Sequence, residues 1–169
     1  MEMGDYTQTE KYIKEAVRID ETAGDIDTNF VSDFPSLSKL YLKEGEIEKA
    51  KELIERTFEF GIKTNSGLII SNAEKLRGIL FKQQKRWEES IQRFENSLQK
   101  YISMEAEKWY VIEFADLLYE YGLMYLERNE EGDKEKAYSL LDQALAIYQK
   151  ADAKKRIEQT IAKKKLLTA

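Results

Sequence analysis

The chain has 169 residues, about one domain's length, with 42% hydrophobic and 35% charged residues and a formal net charge of −5. It contains neither cysteine nor histidine, which removes disulfide frameworks, thiolate sites, the commonest general base and the commonest metal ligand. Ten tyrosines against one proline argue against disorder. The acidic balance argues against nonspecific nucleic-acid binding, and no apolar run approaches the roughly 20 residues of a membrane span.

Residues 1–5 are polar and acidic, unlike a signal peptide, so a cytoplasmic location is expected. Apolar residues recur at three- and four-residue spacing, the mark of amphipathic helices, and strand-like alternation is rare. The first helix is predicted from about Tyr6 to Thr22, with Asp5 and Gln8 forming a capping box, and a loop follows over Ala23–Thr28. Pro35 fits a first helical turn, so the second helix begins near Asp33 and runs to Lys43 or Glu44. After Gly45 a helix spans Ile47 to Phe60, closed by Gly61, with Thr64–Gly67 as a loop. Helices over Leu68–Gln84 and Trp87–Ile102 flank a turn at Lys85-Arg86. The longest helix is predicted from Glu105 to Arg128, followed by a helix that Asp133 caps and that runs to Lys150. The last covers Ala153–Leu167.

One pattern occurs four times: a small residue, a large apolar one four positions on, and a small one three further. It reads Thr9-Ile13-Ala16, Ala50-Ile54-Thr57, Ser90-Phe94-Ser97 and Ala137-Leu141-Ala144. The opening residues follow one another at intervals of 41, 40 and 47. A turn site stands five positions before each: Gly4-Asp5, Gly45-Glu46, Lys85-Arg86 and Gly132-Asp133. The preceding helices carry Ser38 with Tyr41, Gly78 with Phe81, and Gly122 with Tyr125. A mid-helix glycine costs roughly 1 kcal/mol against alanine, so close helix packing is its expected reason. Pairs repeating at this interval stack as an α-solenoid.

These residues resemble the tetratricopeptide repeat family, in the long form of about 40 residues seen in regulatory and signalling proteins. The resemblance implies an all-α right-handed stack of antiparallel pairs over residues 1–169: a half repeat at 4–27, repeats at 31–64, 71–104 and 115–151, and a capping helix at 153–167. The chain departs from the family in its longer period, in lacking the proline that ends a repeat, and in placing Lys85 where the family has glycine. The leading half repeat suggests a piece of a longer protein, or a face through which two copies join.

The resemblance also implies a concave groove lined by the first helices of each pair. Its positions are Ser32, Pro35, Lys39, Leu42 and Lys43; Asn72, Lys75, Ile79, Lys82 and Gln83; and Asp116, Tyr119, Leu123, Leu126 and Glu127. Such a groove is basic at one end and apolar at the other, suited to an acidic and apolar partner segment. The plainer alternative has Tyr119, Leu123 and Leu126 covered and the lysines solvated. Some family members hold a chaperone's C-terminal carboxylates, but of the corresponding Pro35, Lys39, Leu76, Asp116 and Glu120 only Lys39 is suited to it. Trp87 is assigned to helix packing; Trp109 is equally a partner anchor or a core residue. The cations of the final helix are read as a solvated face.

No phosphate-loop, dinucleotide or metalloprotease pattern is present. The expected function is therefore noncatalytic protein–protein interaction, with no cofactor, no metal and no nucleic acid. The alternative is a regulatory domain that senses a peptide or small molecule in the groove.

Overall fold

The computed structural model describes residues 8, 10–15, 18, 19, 22, 30 and 33–168. Among them every regular element is helical: α1 (Phe34–Glu44), α2 (Ile47–Thr64), α3 (Gly67–Gln83), α4 (Trp87–Ser103), a 3-10 turn (Ala106–Lys108), α5 (Val111–Arg128), α6 (Asp133–Lys150) and α7 (Lys154–Thr168). Residues 10–15 are also helical. Thr9, Ala16, Ser32, the Gly4-Asp5 turn and the loop over 23–28 lie outside the described residues.

The connections explain why the helices stop where they do. Pro35 sits in the first turn of α1, where its missing N–H costs nothing. Gly45 (φ 78°) ends α1 in the left-handed region, and Asn65 (φ 51°), Lys85 (φ 57°), Glu105 (φ 50°), Asn129 (φ 55°) and Asp152 (φ 51°) take the same conformation after later helices. For residues with a Cβ this costs roughly 1–2 kcal/mol each, which the capping hydrogen bonds and the adjacent packing offset.

Consecutive helices pack antiparallel. Gly78 faces Ser90 and Phe94 while Ser71 faces Ser97, so partner numbers fall on α3 as they rise on α4. The same reversal relates α5 to α6, through Gly122 with Leu141 and Asp116 with Tyr148. Alternate helices also meet: α3 contacts both α1 and α5. Gln83 Nε2 donates to the Leu42 carbonyl at 2.9 Å, and Lys82 pairs with Glu120 at 3.5 Å.

The core lies along the helix interfaces. Ala50, Ile54, Thr57, Ser90, Phe94, Ser97, Ala137, Leu141 and Ala144 expose no surface at all. Tyr41 and Tyr125 are buried, Phe81 and Trp87 half-buried, and Trp87 packs on the core. Ile13 packs on the same core, and Tyr41 Oη donates to Glu10 at 2.9 Å.

Three boundaries differ from the sequence expectation. Gly61 does not close α2; the helix continues to Thr64. A Cβ at Gly61 would lie 2.9 Å from Ile70 Cγ1 and 3.0 Å from the Ile70 nitrogen, so this glycine serves a close crossing with α3. The longest helix does not begin at Glu105, because the left-handed Glu105 and the 3-10 turn interrupt it; α5 starts at Val111. Asp133 is the first residue of α6, not its cap, which is Gly132 (φ 78°). Its buried carboxylate instead accepts from Arg128 Nη2 (2.7 Å), Arg128 Nε (2.8 Å) and the Glu130 amide (2.9 Å), tying the α5–α6 turn. Among the described residues no helix is long and apolar enough to cross a membrane.

Candidate functional site

A groove of about 450 Å³ lies between α1, α3, α5, the end of α6 and α7. α1 contributes Lys39, Leu42 and Lys43; α3 contributes Ile79, Lys82 and Gln83; α5 contributes Asp116, Tyr119 and Glu120. Residues of each helix recur at three- and four-residue spacing, which places them on one face. Tyr148 of α6 and Lys155, Arg156, Gln159 and Thr160 of α7 complete the wall.

Asp116 organises the far side. Arg156 grips it through Nε to Oδ1 at 2.7 Å and Nη2 to Oδ2 at 3.0 Å, and Tyr148 Oη donates to Oδ1 at 2.7 Å. Burial opposes the charged form of Asp116. The Arg156 hydrogen bonds, the nearby Lys39 and the Tyr148 hydroxyl outweigh it and hold the carboxyl below its usual range. Burial, with the Asp116 charge beside it, raises the Tyr148 phenol. Tyr119 is pushed up to about 12, chiefly by burial and then by Glu120 and Asp116. Both phenols stay neutral near pH 7; Tyr148 commits its one donor to Asp116, while Tyr119 lines the groove.

The cations fall into two kinds. Lys82 is buried and committed to Glu120 (3.5 Å) and Glu127 (3.2 Å). Lys39, Lys43 and Lys155 have no ion pair or hydrogen bond with another described residue and stand open on the wall. Five cationic side chains thus face two carboxylates in the groove.

Of the residues assigned to the groove from sequence, Lys39, Lys43, Ile79, Lys82 and Tyr119 line it together. Lys75 lines an adjoining recess with Pro35, Ser36, Asn72 and Glu113. Leu123 and Leu126 are in neither; both are half-buried, and Leu126 packs on the core. The expected apolar end is therefore missing, and α7 supplies a polar wall instead. The sequence places Lys155 and Arg156 on a solvated face of the final helix. No local pattern marks them, since Arg156 meets a carboxylate 40 residues away. Trp109 is 81% exposed in the connection before α5, away from the groove lining.

Among the described residues no cluster of three or more carboxylate, imidazole or thiol side chains is placed to hold a metal ion. No protein-family model matches the chain, and no curated protein matches its sequence.

Proposed function

We propose that the protein is a noncatalytic binding module, an α-solenoid of the tetratricopeptide type closed by α7. In this reading its groove takes an acidic, partly apolar segment of a partner protein in a cytoplasmic regulatory assembly. The observation that carries the reading is the excess of positive charge on the groove wall, five cations against two carboxylates, in a chain of net charge −5. A cationic recess on an acidic molecule steers anionic partners toward one place and disfavours like-charged docking elsewhere. Leu42, Ile79 and the ring of Tyr119 supply apolar surface between the charges. The side-by-side seating of α1, α3 and α5 supports the solenoid, because repeated pairs present their first helices in a row.

The test is fluorescence anisotropy with a labelled peptide rich in glutamate and carrying one aromatic residue, against the same peptide with lysine for glutamate. The acidic peptide should bind, lose affinity as salt rises, and lose it in the Lys39→Glu/Lys43→Glu variant. Equal binding of the two peptides, or of neither, would overturn the reading.

A second reading is favoured by the size of the groove. About 450 Å³ lies within the range of small-molecule sites, roughly 300–1,000 Å³. A ligand-sensing domain would be stabilised against heat by one anionic metabolite, in proportion to ln(1 + [L]/Kd). A peptide scaffold would not.

A further inference from the structure

Beside the groove a second recess of about 200 Å³ opens between α1, α3 and α5, sharing Lys39 and Asp116 with it. Lys75 of α3 lines this recess. The residue is only 4% exposed, yet its ammonium has no hydrogen bond and no ion pair with any other described residue. Lysines are almost never buried in this way unless paired, because the charged form is heavily penalised out of water.

The charged groups that face Lys75 are Lys39 from α1 and Glu113, Asp116 and Glu120 from α5. Two of the three carboxylates are already engaged, Asp116 by Arg156 and Tyr148, Glu120 by Lys82. Burial, reinforced by the Lys39 charge, outweighs the carboxylates and brings Lys75 down to about pKa 7. At neutral pH a substantial share of the molecules then carries the free amine. An ordinary surface lysine is neutral in only about one molecule in 2,500. A desolvated amine beside a second cation is the setting in which lysine becomes a nucleophile toward carbonyl carbon.

We propose that Lys75 is a covalent capture site, whose amine condenses reversibly with a small 2-oxo acid that lies in the recess with its carboxylate against Lys39. The lysine nitrogen adds to the carbonyl carbon to give a carbinolamine. A C=N bond then replaces the C=O bond as one water leaves, carrying the carbonyl oxygen and the two amine protons. No oxidant or reductant is consumed. Lys39, half-buried and with no ion pair among the described residues, supplies the counter-charge for the substrate's anionic group. The same charge adds to burial in loosening the proton on Lys75, so Lys39 is both an anion site and a positioning residue. The capture does not depend on the main groove holding a peptide.

The experiment uses the full chain with glyoxylate, the smallest such acid, and cyanoborohydride to reduce the imine to a stable secondary amine, followed by peptide mapping. Acetaldehyde, which lacks the carboxylate, is the comparison probe, and the α-amino group is an internal reference that also titrates near neutrality. Lys75 should be labelled at least tenfold faster than any other lysine at pH 7, with the preference larger for glyoxylate than for acetaldehyde. Competitive acetylation across pH should give Lys75 a midpoint near 7. Lys39→Met should move that midpoint upward and abolish the advantage of glyoxylate over acetaldehyde, which a merely structural role would not do. Lys75→Met should remove the adduct while circular dichroism stays unchanged; if that variant misfolds, the wild-type map still decides. Labelling of Lys75 no faster than the surface lysines, or a midpoint near 10, overturns the proposal.

Discussion

Ser71 and Ser97 hold each other across the α3–α4 interface. Ser97 Oγ donates to the Ser71 carbonyl at 2.8 Å, and Ser71 Oγ lies 3.0 Å from both the carbonyl and the hydroxyl of Ser97. Both residues expose no surface, so each hydroxyl depends on the other residue for its partner.

A double-mutant cycle reads this mutual dependence. Ser71→Ala or Ser97→Ala should each cost about 1 kcal/mol, because the hydrogen bond from its hydroxyl to the facing backbone carbonyl is lost while the remaining hydroxyl keeps its own carbonyl acceptor. The double variant should cost less than the sum of the two, since the Oγ–Oγ contact at 3.0 Å is lost in either single variant and can be lost only once. Strict additivity in urea titrations would mean that the two hydroxyls are not coupled.

Gly78 meets the same interface two turns further along α3. A Cβ there would stand 3.0 Å from three ring carbons of Phe94, which has no exposed surface. Gly78→Ala gains up to roughly 1 kcal/mol of helix propensity but forces α3 and α4 apart, at about 1–3 kcal/mol. A net loss of about 1 kcal/mol is expected in chemical denaturation. A rise in the unfolding midpoint would show that the ring yields.

The Lys75 ammonium should leave a mark on stability as well. Its folded pKa of about 7 lies below the unfolded value of about 10.4, so between those limits the unfolded chain binds more protons. Stability should therefore climb with pH across that window, with a slope approaching 1.4 kcal/mol per unit at most. Lys75→Met should flatten the climb and be the more stable protein at pH 6. Parallel pH–stability curves for the two proteins would contradict the expectation.

Asp133 gives the opposite sign. Arg128 first, and then the Glu130 amide, hold its carboxyl below the usual range against the cost of burial. Its contribution is present above the unfolded pKa, near 4, and disappears as pH falls through the lower folded value. Asp133→Asn should lose about 2 kcal/mol at pH 7, since it breaks charge-assisted hydrogen bonds. The difference from wild type should shrink in acid, as followed by thermal unfolding from pH 7 to pH 2.

The all-helical class and the turns at Gly45-Glu46 and Lys85-Arg86 were legible in the sequence because periodicity and chain reversal are local properties. The errors came where a distant segment decides. Gly61 reads as a stop at the end of an apolar run, yet Ile70 requires it inside the helix. Glu105 has no sequence mark of the left-handed turn it makes. Leu123 and Leu126 share a repeat position with groove residues, but both are half-buried off the groove lining, and Leu126 packs on the core. Lys75 reads as an open lysine of the groove, and only the enclosure of α3 by its neighbours removes it from water. The reach of Arg156 to Asp116 depends on how α7 folds back, which no spacing encodes.

That enclosure of α3 has a dynamic consequence. It touches α1, α2, α4 and α5, and its buried residues include Glu74, Lys75 and Lys82 as well as apolar ones. Freeing its amides to exchange with deuterium would require dismantling several interfaces at once, whereas α7, seated mainly on α6, can fray alone. The molecule should thus behave as a rigid mast with a peelable end, and the wall that α7 lends to the groove should be the first part of it to open.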